Sequence, residues 1–134
     1  MLVDKVFVYG SLRSGMFNYE KLLKGKVKGL KKGTIYGELF HIENKGYPAV
    51  ICGEEEITGE LMTFKNFNKT LFELDELENF KVLDENSEYL REFVEVSLED
   101  GTKETAYFYK YNTKSILNKE DKLLKVKSGD WFKR

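Results

Sequence analysis

A chain of 134 residues has the length of one domain and can bury a core, so residues 1–134 are expected to form a single unit. Its 41% hydrophobic and 34% charged residues make a globular composition and exclude a disordered one. A net charge of -1, with both signs mixed along the chain, argues against a nucleic-acid or anionic-membrane surface and favours small, neutral-to-acidic partners.

The lone cysteine, Cys52, excludes an intramolecular disulfide framework and a cysteine-based zinc site, which makes a reducing cytoplasm the expected compartment. No apolar run approaches the ~20 residues of a membrane span, and Met1-Leu2-Val3-Asp4 lacks a signal-peptide core. With His41 the only histidine, no histidine cluster can hold a metal. Neither His41 nor Cys52 has a sequence neighbour that would activate it, so both read as structural.

In chain order, Val6-Phe7-Val8-Tyr9 is a strand of aromatic and β-branched residues that ends in Gly10-Ser11-Leu12, with Gly15 further on. The spacing of Gly10 and Gly15 matches the opening of a nucleotide P-loop, but Met16-Phe17 stands where Lys-Ser/Thr is required. The dinucleotide Gly-x-Gly-x-x-Gly pattern is missing as well. What remains is a backbone nest able to bind a carboxylate or an oxyanion. Asn18 is then expected to cap a short helix through Leu23, and the basic stretch Lys24 to Lys32 to form a charged edge strand or loop.

Ile35 to Phe40 and Ile57 to Met62 echo each other around a central Gly-Glu-Leu, and a glycine inside a strand marks a bend, a bulge or a close approach. Two such bends predict a curled, barrel-like sheet. Between them, Pro48, the only proline, sets a turn into a short strand, Tyr47 to Ile51. Leu71, Leu74 and Leu77 predict a helix from Asn66 to Glu78 with Asn68 as cap. Tyr89 to Leu98 and Glu104 to Tyr111 read as a hairpin around Asp100-Gly101. Tyr107, Tyr109 and Tyr111 share one face, either a barrel interior or a wet surface. The tail, Ser115 to Arg134, is weakly helical and anchored by Trp131. The expected fold is α+β: a small, strongly curved, mostly antiparallel sheet, closing toward a barrel, with flanking helices.

The acidic end of the leucine-patterned helix offers chemistry. At ~100° per residue the leucine stripe centres on Leu74, and Glu78 lies ~40° from it, while Glu73 and Asp75 sit ~100° off and Glu76 faces away. A Glu leaning inward there would be desolvated and its pKa raised, as a general base or acid at neutral pH requires. The competing reading sets Glu78 past a fraying helix end, in water.

Six motifs then line up in order: Tyr9-Gly10-Ser11-Leu12, Tyr47-Pro48-Ala49, Leu74-Asp75-x-x-Glu78, Tyr89-x-Arg91, the tyrosine-rich strand Tyr107 to Tyr111, and Ser128-Gly129-Asp130-Trp131. Together they span nearly the whole chain and resemble the γ-glutamylcyclotransferase-like family, which includes γ-glutamylamine cyclotransferases and AIG2-like proteins. The resemblance implies a small β-barrel flanked by helices, a glutamyl group held by Tyr9, Gly10, Ser11 and Leu12, and Glu78 as acid/base. The motif tyrosines Tyr47, Tyr89 and Tyr109 are the further substrate contacts expected. Two departures stand out: Asn79 where members often have Gly, and no proline between Phe80 and Glu88.

The implied reaction is intramolecular: the α-amine of a γ-glutamyl amine or peptide attacks its own γ-carbonyl, releasing 5-oxoproline and a free amine, with Glu78 moving the protons. The backbone N–H groups of Gly10, Ser11 and Leu12 would hold the α-carboxylate or meet charge on the carbonyl oxygen. No metal or cofactor is expected, and a monomer is the default. Two other readings compete, an enzyme of the same fold acting on another small amide and a non-catalytic domain that binds a small molecule.

Overall fold

The computed structural model describes residues 2–134. Its strands are β1 (Lys5–Val8), β2 (Val27–Ile42), β3 (Tyr47–Phe64), β4 (Tyr89–Leu98), β5 (Lys103–Tyr111) and β6 (Leu123–Lys125), with one α-helix, α1 (Phe67–Leu77). The short aromatic strand β1 closes the sheet. It pairs antiparallel with β3, Val8 opposite Glu60, and parallel with β5, Val6 opposite Tyr107. The remaining pairs, β3 with β2, β2 with β4 and β4 with β5, are antiparallel, so β1 to β5 form a closed mixed barrel. Closure leaves β6 to add onto the far end of β2, Phe40 opposite Lys125.

The two Gly-Glu-Leu runs sit in the long hairpin of β2 and β3, where their glycines do different work. At Gly37 the register slips: Gly37 faces Glu55 while Glu38 faces Ile51, a bulge that bends the ribbon. At Gly59 a Cβ would stand 2.3 Å from the Val8 carbonyl oxygen and 2.4 Å from the Phe7 ring, so its bare backbone admits β1. The basic stretch belongs to this hairpin too: Gly29 to Lys32 pair with Glu60 to Thr63, their lysines exposed. Tyr47 to Ile51 is the beginning of an 18-residue strand rather than a short one.

Strand alternation sorts the apolar residues into two layers. Phe7, Ile35, Leu39, Ile57, Val96 and Phe108 pack with Trp131 inside the barrel. Val6, Val8, Met62, Tyr109 and Tyr111 face outward and are covered by Leu74 of α1 together with Leu12 and Leu23. The face shared by Tyr107, Tyr109 and Tyr111 is therefore neither of the two expected. It is the outer wall, on which Tyr109 and Tyr111 are buried and Tyr107 is half-buried, Tyr109 bonding Asp75 of the helix and Tyr111 bonding Asp121.

Two caps differ from expectation. The cap of α1 is Asn66, whose extended backbone lets its side chain accept from the Lys69 N–H at 3.3 Å, and Asn68 lies inside the helix. Asn18 precedes a single π-helical turn, Tyr19–Leu23, without capping it.

The tail runs back over the barrel. The Val126 N–H donates to the Leu39 carbonyl and the Thr58 N–H to the Gly129 carbonyl, and the Trp131 indole N–H donates to His41 Nδ1 at 3.1 Å. Gly129 has φ of 74°, and a Cβ there would meet the Glu56 carbonyl oxygen at 2.2 Å. Gly46, with φ of 80°, has nothing within 4 Å of such a Cβ. Gly46→Ala should cost only the left-handed backbone term, roughly 1 kcal/mol, whereas Gly129→Ala should cost clearly more by unseating the tail. Thermal unfolding of the two variants checks this, and equal losses would contradict it.

Candidate active site

The helix α1 ends where the barrel leaves an opening, and its last turn is fixed from both sides. Asp75 Oδ1 accepts from the Tyr109 hydroxyl at 2.7 Å, and Asp75 Oδ2 pairs with Arg91. The Arg91 guanidinium lies over Phe80 and Tyr107, 5.2 and 5.0 Å from their ring centroids. The Leu-Asp-x-x-Glu, Tyr-x-Arg and tyrosine-strand motifs thus meet at one charged clamp between helix and wall.

Past the clamp the chain turns in a Schellman motif. The Asn79 N–H donates to the Glu76 carbonyl and the Phe80 N–H to the Asp75 carbonyl. The motif demands a left-handed residue, and Asn79 supplies it with φ of 53°. Asparagine is the commonest substitute for glycine there, so this departure from the family pattern is accommodated by the backbone. The Glu78 N–H still donates to the Leu74 carbonyl at 2.9 Å, so Glu78 caps an intact helix end.

Glu78 faces a cavity of about 120 Å³. Tyr9, Gly10, Ser11, Leu12, Tyr47 and Tyr89 line it as well, so seven of the eight site residues expected from the sequence surround one space. Tyr109 does not line it; its hydroxyl is spent on Asp75, and its carbonyl accepts from the Tyr9 hydroxyl. Asn18, expected from the sequence only as a helix cap, and Glu88, to which the sequence assigned no role, are at the wall.

The turn and β3 fit together because Gly10 has no side chain. A Cβ on Gly10 would stand 2.3 Å from Pro48 Cγ, so the Tyr-Gly-Ser-Leu and Tyr-Pro-Ala motifs require one another. Asn18 braces the turn, its side-chain amide donating to Ser11 Oγ at 2.7 Å. Behind it, buried Arg13 pairs with Asp130 at 2.8 Å, and the Ser14 N–H donates to Glu60 at 2.7 Å. Among the described residues, the backbone N–H groups of Gly10, Ser11 and Leu12 donate to no carbonyl or side chain, which leaves them available to an anion.

The acid–base character of the cavity follows from its walls. The Glu78 carboxyl has no hydrogen-bond partner among the described residues; burial, and secondarily the Glu88 carboxylate, push its pKa up to about 8. Some of its surface stays open to solvent through the cavity. Burial also raises the pKa values of Tyr9, Tyr47 and Tyr89. Their protons are committed: the Tyr89 hydroxyl donates to the Pro48 carbonyl at 2.7 Å and that of Tyr47 to Glu88. Glu88 also accepts from Lys45 at 2.9 Å, and Lys45 reaches Asp121 at the same distance. Among the described residues no three or more His, Cys, Asp or Glu side chains converge as a metal site requires, and no helix is long and apolar enough to cross a membrane.

Known proteins share this architecture. YkqA from Bacillus subtilis superposes with a TM-score of 0.66 at 25% identity, over 97% of this chain and 40% of its own, so the present chain spans less than half of that protein. An AIG2-like protein from Mus musculus gives a TM-score of 0.67 at 20% identity over 87% of this chain and 82% of its own. The protein PH0828 from Pyrococcus horikoshii gives 0.57 at 23% identity, over 96% and 89%. No curated protein matches the sequence. The family model described as gamma-glutamyl cyclotransferase, AIG2-like, matches residues 6–133. With that match covering nearly the whole chain, the chain belongs to the AIG2-like γ-glutamyl cyclotransferase family.

Proposed function

We propose that this cavity cyclises a γ-glutamyl amine or γ-glutamyl peptide to 5-oxoproline, with Glu78 as the general acid/base. The observation that carries the reading is the meeting of two unpaired groups in one cavity: the Glu78 carboxyl and the N–H groups of the Gly10–Leu12 turn. The substrate arrives with its α-amine as an ammonium ion, a poor nucleophile. An ammonium drawn against Glu78 favours the carboxylate, and a carboxyl whose pKa is near 8 is well matched to accept that proton. The freed α-nitrogen attacks the γ-carbonyl carbon and closes a five-membered ring. As the bond from that carbon to the leaving nitrogen breaks, Glu78 returns the proton to that nitrogen and takes up the second proton that the ring nitrogen sheds, passing it to solvent, so the amine departs neutral, the lactam keeps one N–H and the Glu78 carboxylate is restored. The turn amides meet negative charge on the substrate, and Gly10 against Pro48 keeps them fixed before it arrives. A small, formed cavity folds the substrate so that amine and carbonyl meet, and such orientation is itself a large part of the catalysis. A cytoplasmic location fits this chemistry and the single cysteine.

Incubation with a panel of γ-glutamyl amines and peptides, with 5-oxoproline as the readout, tests the reading. Wild type should release 5-oxoproline. Glu78→Gln should fold and lose at least about a hundredfold in kcat, in line with removal of a positioned acid/base; a Gln variant that keeps its activity would sink the mechanism.

The same carboxyl carries a stability signature. The folded chain holds the Glu78 proton up to about pH 8, whereas an ordinary Glu releases it near 4.5. Between those values the folded state binds more protons, so the contribution of Glu78 is complete below about 4.5 and is lost as pH rises through about 8. The melting temperature of wild type relative to Glu78→Gln should therefore fall steadily over that window. Parallel curves would show that Glu78 titrates normally.

A further inference from the structure

The cavity holds a second carboxylate that the reaction just described does not use. Glu88 begins the turn into β4 and is joined to Glu78 by a loop closed at its base, where the Glu88 N–H donates to the Asn79 carbonyl at 3.1 Å. Only one of its oxygens is occupied: Oε2 accepts from both Lys45 and the Tyr47 hydroxyl, and Oε1 has no partner among the described residues. The surroundings also set the balance of formal charge. Lys45 faces Glu88 and Asp121 at once, and Tyr111 donates to Asp121 at 2.7 Å, so one negative charge in this largely buried group lacks a compensating cation. Among the described residues, no Lys, Arg or His side chain lines the cavity. A ligand entering it meets an acidic wall on one side and backbone amides on the other.

We infer that Glu88 recognises the α-ammonium of the substrate, holding it beside Glu78, and so restricts the site to γ-glutamyl compounds whose α-amine is free and charged. The inference rests on the γ-glutamyl reading of the site. It divides the work of the two carboxylates: Glu88, held by Lys45 and Tyr47, binds the cation, and Glu78, unpaired, takes the proton. The nearness of Glu88 also discourages ionisation of Glu78 in the empty site, and an ammonium placed between them removes that opposition. A charge-assisted bond in a half-buried site is the kind of contact whose loss is felt in binding.

The test compares two ligands that differ only at the α-carbon: L-glutamine, and glutaramate, in which the α-amino group is replaced by hydrogen. Calorimetric titration of the full chain should show wild type preferring L-glutamine by roughly tenfold or more, as expected for one charge-assisted contact. Glu88→Gln should abolish the preference by weakening L-glutamine and leaving glutaramate unchanged. Glu88→Asp, which keeps the charge and its lysine, should retain part of the preference, and it serves if the Gln variant does not fold. Equal weakening of both ligands, or a preference that survives in Glu88→Gln, would overturn the role of Glu88 and leave the γ-glutamyl reading standing. Equal binding of both by wild type would do the same. Failure of wild type to bind either ligand would overturn both.

Discussion

Asp75 joins the helix to the barrel, and the geometry of the cavity follows from that contact. Its two oxygens are taken by two different strands, Oδ2 by Arg91 of β4 and Oδ1 by Tyr109 of β5. A helix of 11 residues has little stability alone and depends on tertiary contacts. With Leu74 buried beneath it and Asp75 pinned one turn before its end, α1 cannot rotate without exposing the first or breaking the second. Glu78, three residues on, inherits that fixed position. An ionised pair at this place is worth more as a determinant of geometry than as a source of stability.

The barrel supplies the facing wall by an equally local constraint. β1 enters between β3 and β5 because Gly59 leaves room for Phe7 and the Val8 carbonyl, and the turn after it meets Pro48 because Gly10 leaves room there. Two absent side chains therefore set where the free amides of Gly10, Ser11 and Leu12 lie. The tail reinforces this wall, since Asp130 holds Arg13 just behind the turn and Phe132 lies against the same guanidinium. Motifs far apart in the chain, from Tyr9 to Trp131, thus turn out to be two sides of a few close contacts.

Much of this was legible in the sequence, for physical reasons that can be named. Glu78 stands out because a leucine stripe has a direction and a residue ~40° from its centre points to the same side, but the stripe alone leaves a frayed end in water equally open, and it is the Leu-Asp-x-x-Glu motif that selects this residue. The curled sheet was legible in two glycines placed inside strands, and the family in six ordered motifs. The face of Tyr107, Tyr109 and Tyr111 was readable as a shared face but not as a covered one, because alternation cannot say what packs outside a strand. The long β2–β3 hairpin was hidden by lysines and glycines around Gly29 to Gly33, where neither face of the strand is uniformly apolar. Glu88 was missed since a carboxylate ahead of a strand has no periodic marker; only Lys45 and Tyr47, over 40 residues earlier, reveal its place. Tyr109 was placed at the substrate by its motif, yet its hydroxyl is consumed by Asp75.

The electrostatic state of the cavity links these parts. An unpaired carboxyl, surrounded by tyrosine rings and faced by a second carboxylate, keeps its proton far above the usual range, and only a cationic ligand relieves it. The most direct measurement is an NMR titration of the Glu78 side-chain carboxyl, assigned by its absence from Glu78→Gln. The account predicts an apparent pKa near 8 in the empty protein and a lower one when an α-ammonium ligand is bound. A value near the ordinary 4.5 in the empty protein would contradict it.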